Sequence, residues 1–136
     1  MSLWVFYDFR DTRGVNLIRQ WLDTQPPKAS AKIDTRLLFM KAIPLWPEQY
    51  VSALVGWPGL VELRVGSSGN QYRPIGFYGP RRRDFTLVLG AIEKGKLPNR
   101  VLEVADDNRR IVLADWNRIC EHEYDKRADA PESSDQ

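Results

Sequence analysis

Four basic residues are the candidate chemical groups of this chain, because the predicted strands would bring them to one place. Arg64 and Arg73 lie on successive predicted strands joined by a short turn, and Lys94 and Lys96 leave the end of the next strand. Cations gathered on one face of a sheet repel each other unless an anion or an acid lies between them. Glu62, on the same face as Arg64, could be that acid. A phosphodiester bound between the cations is the alternative.

A second basic group follows Gly79-Pro80 at the tip of a predicted hairpin and consists of three consecutive arginines. Such a run can be a solvated patch of charge, or it can grip a phosphate backbone through charge-assisted hydrogen bonds. Aromatic residues interleave with these bases, and an exposed aromatic ring could stack on a nucleic-acid base. The candidate nucleic-acid-binding residues are Arg81, Arg82, Arg83, Tyr72 and Arg100.

The charge is unevenly distributed along the chain. Residues 59–100 contain eight Lys or Arg against three Asp or Glu, whereas residues 101–136 contain five against ten. The formal net charge of +2 therefore conceals a basic segment followed by an acidic one. A basic surface on a small sheet indicates an anionic partner, and nucleic acid is the commonest such partner.

Other kinds of site have less support in the sequence. His122 is the only histidine and Cys120 the only cysteine, and they are two residues apart on a predicted helix, so they would point in different directions. We expect a core thiol beside a surface imidazole, with no metal and no cofactor. Gly66–Gly69 lacks the lysine of a phosphate-binding loop and is expected to form a hairpin turn.

The whole chain of 136 residues is expected to fold as one domain over residues 1–124, followed by a polar, disordered tail over residues 125–136. One cysteine cannot form an internal disulfide, which fits a reducing compartment. No apolar run approaches the roughly 20 residues that span a bilayer, and the first residues do not resemble a signal peptide. A cytoplasmic protein with no membrane contact is the expectation.

The elements follow from apolar spacing, caps and prolines. A strand is predicted over Leu3–Phe9, a helix over Gly14–Leu22 capped by Asp11 or Thr12, and a second helix from Pro26-Pro27 to Met40. Residues 44–58 are predicted to be irregular. Three strands of an antiparallel meander are then predicted over Leu60–Val65, Gln71–Tyr78 and Phe85–Ile92.

Pro98 opens the last predicted helical region. It carries one apolar stripe at Val101, Val104 and Ala105, and a second from Ile111 through Trp116 and Ile119 to Cys120. Asp106-Asp107-Asn108 between the stripes is either a kink or a new N-cap. The order of elements predicts an α+β domain with its helices packed on one antiparallel sheet.

Three short motifs resemble a known family. They are Trp57-Pro58-Gly59-Leu60-Val61-Glu62-Leu63-Arg64, Gln71-Tyr72-Arg73, and Lys94-Gly95-Lys96-Leu97-Pro98 followed by Glu103 and Ala105. In this order and spacing they resemble the RelE/HigB-like toxins of bacterial toxin–antitoxin pairs, particularly the branch with phage-derived host-killing proteins. The resemblance covers roughly Leu3–Ala105 and implies a RelE-like fold.

The resemblance also implies an activity, which is ribosome-dependent cleavage of mRNA without a metal ion. In such enzymes the ribose 2′-oxygen attacks the adjacent phosphate while protein cations stabilise the developing charge. Arg73 then corresponds to the phosphate-binding arginine, Arg64, Lys94 and Lys96 are its supporting cations, and Tyr78 is the candidate for proton transfer. The implied partners are mRNA on the ribosome and a cognate antitoxin, of helix-turn-helix type.

This chain has neither a tyrosine nor a histidine near the end of the last predicted strand, where the family commonly places its acid/base residue. Two alternatives therefore stay open. One is a non-catalytic module that binds nucleic acid or a partner protein, and the other is a ParE-like inhibitor of DNA gyrase.

Overall fold

The computed structural model describes residues 2–129, and this part of the chain folds into three helices and seven strands. The α-helices are α1 (Leu17–Asp23), α2 (Pro27–Lys41) and α3 (Asn99–Ala114). The strands are β1 (Val5–Phe9), β2 (Val51–Ala53), β3 (Val61–Leu63), β4 (Val65–Ser67), β5 (Asn70–Tyr78), β6 (Asp84–Ile92) and β7 (Ile119–Glu121). Two 3-10 turns, Trp116–Arg118 and Lys126–Asp129, follow α3 and β7.

All seven strands belong to one mixed sheet. Its order is β2-β3-β5-β6-β1-β7, and β4 also pairs with β5. β1 runs parallel to β6, with Phe6 opposite Phe85, whereas every other pairing is antiparallel. The expected RelE-like fold, with a three-stranded meander in an antiparallel sheet, is therefore wrong, although the chain does combine helices with a sheet.

The additional strands are short, and this explains why the sequence did not reveal them. β2 lies in the segment that was expected to be irregular, and the strand expected over Leu60–Val65 divides at Arg64 into β3 and β4. A strand of three residues has too few positions to show an alternating pattern. The parallel placement of β1 depends on which neighbour it meets in three dimensions, and no local pattern encodes that.

Two apolar clusters lie on opposite faces of the sheet. One packs α1 and α2 against Phe85 and Leu87, and the other packs α3 against Val88. Since successive residues of a strand point to opposite faces, Leu87 and Val88 belong to different layers. The sheet is therefore the middle layer of three.

The helix boundaries depend on local capping. Asn16 caps α1 by accepting a hydrogen bond from the backbone N–H of Arg19 at 2.9 Å. The expected cap residue Asp11 instead accepts from the N–H groups of Arg13 and Val15, which forms a turn before the helix. The proline-led start of α2 is confirmed at Pro27.

The C-terminal region differs from the expected helical region. α3 runs without interruption through Asp106-Asp107-Asn108, where the buried Asn108 side chain donates to the Val88 carbonyl at 3.0 Å. The helix ends at Ala114, because Asp115 is extended and its carboxylate caps the next turn by accepting from Asn117. Ile119 and Cys120 therefore lie on strand β7, not on a helix.

The turn Lys126–Asp129 packs on α2, where the Thr35 hydroxyl donates to the carbonyl of the buried Ala128 at 3.4 Å. The predicted tail overlaps this turn, and its remainder, residues 130–136, lies outside the described residues. No helix in residues 2–129 has both the length and the apolar character needed to cross a membrane.

Candidate functional site

A buried carboxylate organises the basic residues of β3 and β5. Glu62 is 1% exposed and holds both arginines of the predicted set. Its Oε2 accepts from Arg64 Nε at 2.7 Å, and its Oε1 accepts from Arg73 Nε at 3.0 Å and from Arg73 Nη2 at 2.5 Å. The expectation that the two guanidinium groups reach a common anion is confirmed, and Glu62 is that anion.

Arg73 is almost fully engaged within the protein. Beyond its two bonds to Glu62, its Nη1 donates to the carbonyl of Glu93 at 3.1 Å and to the carbonyl of Gly95. A guanidinium has five N–H groups, so these four bonds leave one. Arg73 therefore fixes β3, β5 and the segment after β6 to one another.

Arg64 has more capacity to bind a ligand. Its side chain is 44% exposed, and only its Nε bonds to a residue within positions 2–129. Its two Nη groups thus keep their N–H donors for a ligand. The Arg64 backbone is held in turn, because its carbonyl accepts from Arg36 Nη1 at 2.7 Å and its N–H donates to the Tyr50 carbonyl.

Two open cavities adjoin these arginines. The first, of about 360 Å³, is the basic groove, lined by Arg64, Gln71, Arg73, Lys94 and Gly95. The second, of about 390 Å³, is the turn cavity, lined by Lys32, Lys94 and the turn residues 66–71. Lys94 and Gln71 border both, so the two cavities form one cationic depression along the hairpin of β4 and β5.

The lysines of the predicted set differ in their position. Lys94 is exposed and lines both cavities. Lys96 is exposed but lines neither, and Arg100 is exposed in the first turn of α3. The basic groove therefore unites three of the four predicted basic site residues, and Lys96 lies outside its lining.

The predicted tyrosines do not reach the basic groove. Tyr78 is five residues beyond Arg73 on β5, which is roughly 16 Å along a strand. Burial raises the pKa of the Tyr78 phenol above its ordinary value. Tyr72 is 2% exposed and packs edge-on against Trp21, so it cannot stack on a nucleic-acid base. The position of Tyr78 removes it from proton transfer in the groove.

The three consecutive arginines lie at the opposite end of β5, in the turn that leads to β6. Arg81 forms an ion pair with Asp84, Nε to Oδ2 at 2.7 Å, and its guanidinium lies over the ring of Tyr7. Arg83 lies over the ring of Trp4. The chain therefore carries two separate basic surfaces.

A buried cluster of charged residues, the aspartate–histidine cluster, was not predicted. His122 is 3% exposed and lies between two buried aspartates. Its Nδ1 is 2.8 Å from Asp8 Oδ1, and its Nε2 is 2.7 Å from Asp34 Oδ1. The expected surface imidazole is therefore wrong, and the expected core thiol is only partly buried, at Cys120.

The aspartate–histidine cluster favours a protonated imidazole. Burial by itself would lower the pKa of His122, but the hydrogen bonds and charges of Asp34 and Asp8 outweigh burial and raise the pKa to about 9. Both ring nitrogens then donate, and neither is available to a substrate. Arg19 approaches Asp34 Oδ2 at 3.9 Å, and Asn16 Nδ2 donates to Asp8 Oδ2 at 3.0 Å.

The cluster joins three distant segments of the chain. Asp8 is on β1, Asp34 is on α2, and His122 directly follows β7. The backbone N–H of Asp125 also donates to Asp34 Oδ2, at 2.6 Å. This arrangement fastens the C-terminal segment to the rest of the domain, which is a structural role.

One sequence signal could have revealed this cluster. Asp8 interrupts an aromatic strand, and Asp34 follows Ile33 and precedes Leu37 on the buried side of α2. Acids at core positions need a buried cation, and the single histidine is a candidate for that role.

No model of a known protein family matches this chain, and no curated protein is significantly similar to it. Within residues 2–129, no group of three or more His, Cys, Asp or Glu side chains is arranged to hold a metal ion.

Proposed function

We propose that this protein is the toxin of a toxin–antitoxin pair and that it cleaves mRNA on the ribosome without a metal ion. The observation that carries the proposal is the basic groove, where Arg64 and Lys94 present open cations beside an arginine fixed on buried Glu62. The three motifs that resemble RelE/HigB-like toxins supply the same residues.

The groove can stabilise phosphate chemistry through charge. The 2′-oxygen of a ribose loses its proton and attacks the adjacent phosphorus. The bond to the 5′-oxygen of the next nucleotide breaks, and that oxygen takes up a proton. Negative charge develops on the non-bridging oxygens, where the open Nη donors of Arg64 and the ammonium of Lys94 would bind it. Arg73 acts by positioning, because four of its five N–H groups bond within the protein.

Proton transfer in this proposal uses water, because no tyrosine or histidine of the described residues lines the groove. A positioned acid or base contributes roughly 10²- to 10⁴-fold to a rate. We therefore expect slow cleavage of free RNA. The ribosome is the partner that would align the 2′-oxygen with the phosphorus, and a cognate antitoxin would neutralise the toxin in the cytoplasm.

A second candidate function is binding of RNA without cleavage, and the same lack of a proton-transfer residue favours it. The two functions differ in one observable, which is the appearance of new 5′ ends in cellular transcripts. Inhibition of DNA gyrase, the third possibility raised by the sequence, would instead change plasmid supercoiling.

The test is inducible expression of the wild-type chain in bacteria, with growth and transcript 5′ ends as readouts. We expect arrested growth and new 5′ ends within translated regions. Arg64→Ala combined with Lys94→Ala should abolish both, because it removes the open cations. Lys28→Ala is the matched control, since Lys28 is exposed at the start of α2 and lines neither cavity.

Arrested growth without new 5′ ends would refute cleavage and leave RNA binding. Normal growth with the wild-type chain, at confirmed expression of folded protein, would refute the toxin proposal altogether.

A further inference from the structure

The end of the sheet opposite to the basic groove carries a second surface with a different composition. The turn between β5 and β6 presents Arg81, Arg82 and Arg83, all exposed, and we call this segment the arginine turn. Four aromatic side chains surround it, which are Trp4, Tyr7, Tyr78 and Trp116.

Hydrogen bonds fix the backbone of the arginine turn. Gly79 N–H donates to the Asp84 carbonyl at 2.8 Å, and Asp84 N–H donates to the Arg81 carbonyl at 3.1 Å. The N–H of Val5 donates to the Arg83 carbonyl at 3.0 Å, which joins the turn to β1. The arginines are thus presented from a defined backbone, and binding does not require this loop to become ordered.

Guanidinium groups and aromatic rings alternate across this surface. Arg81 lies 5.2 Å from the ring centre of Tyr7 and 6.0 Å from that of Trp116. Arg83 lies 5.5 Å from the ring centre of Trp4, which in turn contacts Tyr78 at 5.7 Å between ring centres. Such cation–π contacts hold the rings and the cations in a fixed arrangement.

Two aromatic side chains of this surface are half exposed. Tyr78 and Trp116 are each 51% exposed, although both belong to residue types that usually bury most of their area. Tyr78 is also supported from behind, because its ring stacks on Trp46 at 5.6 Å with an angle of 29° between the planes. A half-exposed ring that is supported from behind can stack on a base of a single-stranded nucleic acid.

Arg82 supplies the open charge. It forms no ion pair or hydrogen bond with any residue in positions 2–129, whereas Arg81 pairs with Asp84. Asp84 is the only acid between Tyr78 and Phe85, so the turn keeps an excess of positive charge. A polyanion with exposed flat groups matches both this positive charge and the exposed rings of Tyr78 and Trp116.

We propose that the arginine turn, with Tyr78 and Trp116, is a second binding site, and that its ligand is single-stranded RNA. Arg82 binds the phosphate backbone, and neighbouring bases stack on Tyr78 and Trp116. This site is separate from the basic groove, since roughly 16 Å of β5 lies between Arg73 and Tyr78. It therefore does not depend on the cleavage proposed for the groove.

The test measures binding of a short, fluorescently labelled, single-stranded RNA by anisotropy, in a background in which Arg64→Ala and Lys94→Ala disable the groove. Arg82→Glu should weaken the remaining binding about tenfold at about 50 mM salt, with a smaller effect at about 200 mM. Lys28→Glu makes the same change of charge at an exposed position on α2 and should have little effect.

A second pair of variants tests stacking. Tyr78→Ala should weaken RNA binding roughly tenfold, whereas Tyr78→Phe keeps the ring and should retain the affinity. Dextran sulfate, a polyanion without bases, should bind equally well to both. The proposal is overturned if Arg82→Glu leaves the RNA affinity unchanged, or if it lowers the affinity no more than Lys28→Glu does. It is also overturned if Tyr78→Ala and Tyr78→Phe bind RNA equally well. Cleavage in cells that persists in Arg64→Ala with Lys94→Ala would instead count only against the basic groove as the cleavage site.

Discussion

Arg64 and Arg73 share one carboxylate but keep different numbers of free N–H groups. The Arg73 side chain bonds to Glu62 and to two backbone carbonyls. Among residues 2–129, the Arg64 side chain bonds only to Glu62, through its Nε. Glu62 itself is buried, so it needs both cations and each cation depends on it. The position of the groove's charges is therefore set by an acid that has no access to solvent.

The first prediction concerns Glu62→Gln, which keeps the shape of the side chain and removes its charge. Two guanidinium groups then share no counter-charge, and we expect the free energy of unfolding to fall by about 3 kcal/mol. Denaturation in urea measures this. Asp106→Asn is the control, because Asp106 pairs with Arg109 and the largely exposed Arg110, and such pairs contribute at most about 1 kcal/mol. Similar losses in both variants would contradict a special role for Glu62.

The second prediction concerns the pH dependence of stability. The pKa of His122 is raised from 6.5 to about 9 in the folded protein, so the folded state retains a proton that the unfolded state releases. This contribution is complete below about pH 6.5 and is lost as the pH rises to about 9, and it amounts to roughly 3 kcal/mol. The polar groups that face the imidazole are Asp8, Asp34, Asn16, Arg19 and Tyr124.

Unfolding in urea between pH 6 and pH 10 tests the second prediction. His122→Gln should be less stable at neutral pH. Its free energy of unfolding should also lose the part of the pH dependence that His122 contributes. The difference between wild type and variant separates the contribution of His122 from that of Cys120, whose pKa burial raises above its ordinary value. If the difference in free energy of unfolding between wild type and His122→Gln does not change with pH, the pairing of a protonated His122 with Asp8 and Asp34 is refuted.

The third prediction concerns the packing of α1 on the sheet. Trp21 of α1 lies directly over Gly90 of β6, so a Cβ at position 90 would overlap the indole ring. Gly90→Ala should lower the free energy of unfolding by roughly 1–3 kcal/mol, because the helix must move away from the strand. Gly66→Ala is the matched control, since its Cβ would meet only ordinary contacts at 3.9 Å. Equal stability of the two variants would show that α1 can shift without cost.

The sequence predicted the longer elements and missed those whose identity depends on distant contacts. α2, β5 and β6 each have enough residues for their spacing to be visible. β7 has three residues and is held as a strand by pairing with β1, as in the pair Asp8 and Cys120, more than 100 positions away. Such a strand has no local signature.

The candidate site shows the same division. Arg64 and Arg73 were correctly expected to approach a common anion, because alternation along two adjacent strands places them on one face, and Glu62 was one of two candidate anions. Tyr78 was wrongly chosen for proton transfer, although the predicted strand Gln71–Tyr78 already put it at the end away from Arg73. The burial of Tyr72 against Trp21 depends on the packing of α1 on the sheet, which local sequence does not show. The burial of His122 depends on the unpredicted strand β7.

The fourth prediction follows from the two basic surfaces at opposite ends of the sheet. Wild-type protein should bind two copies of a short single-stranded RNA, one in the basic groove and one at the arginine turn. Arg64→Ala with Lys94→Ala should leave one copy, Arg82→Glu with Tyr78→Ala should leave one, and all four substitutions together should leave none. Titration at protein concentrations well above the dissociation constant measures this stoichiometry. A single copy bound by the wild type would mean that the two surfaces are not independent.

The position of β1 between β6 and β7 has a consequence for folding during synthesis. β1 precedes both of its neighbours, β6 and β7, in the chain, and its Asp8 pairs with His122. During synthesis on the ribosome, residues 5–9 therefore cannot form their strand pairs until residues 84–92 and then 119–122 have emerged. A nascent chain that already contains Arg64, Arg73 and Lys94 still lacks β7 and the His122 cation between Asp8 and Asp34. We expect such a chain to be open to proteases, because β1 then has an unpaired edge and the two buried aspartates have no cation between them.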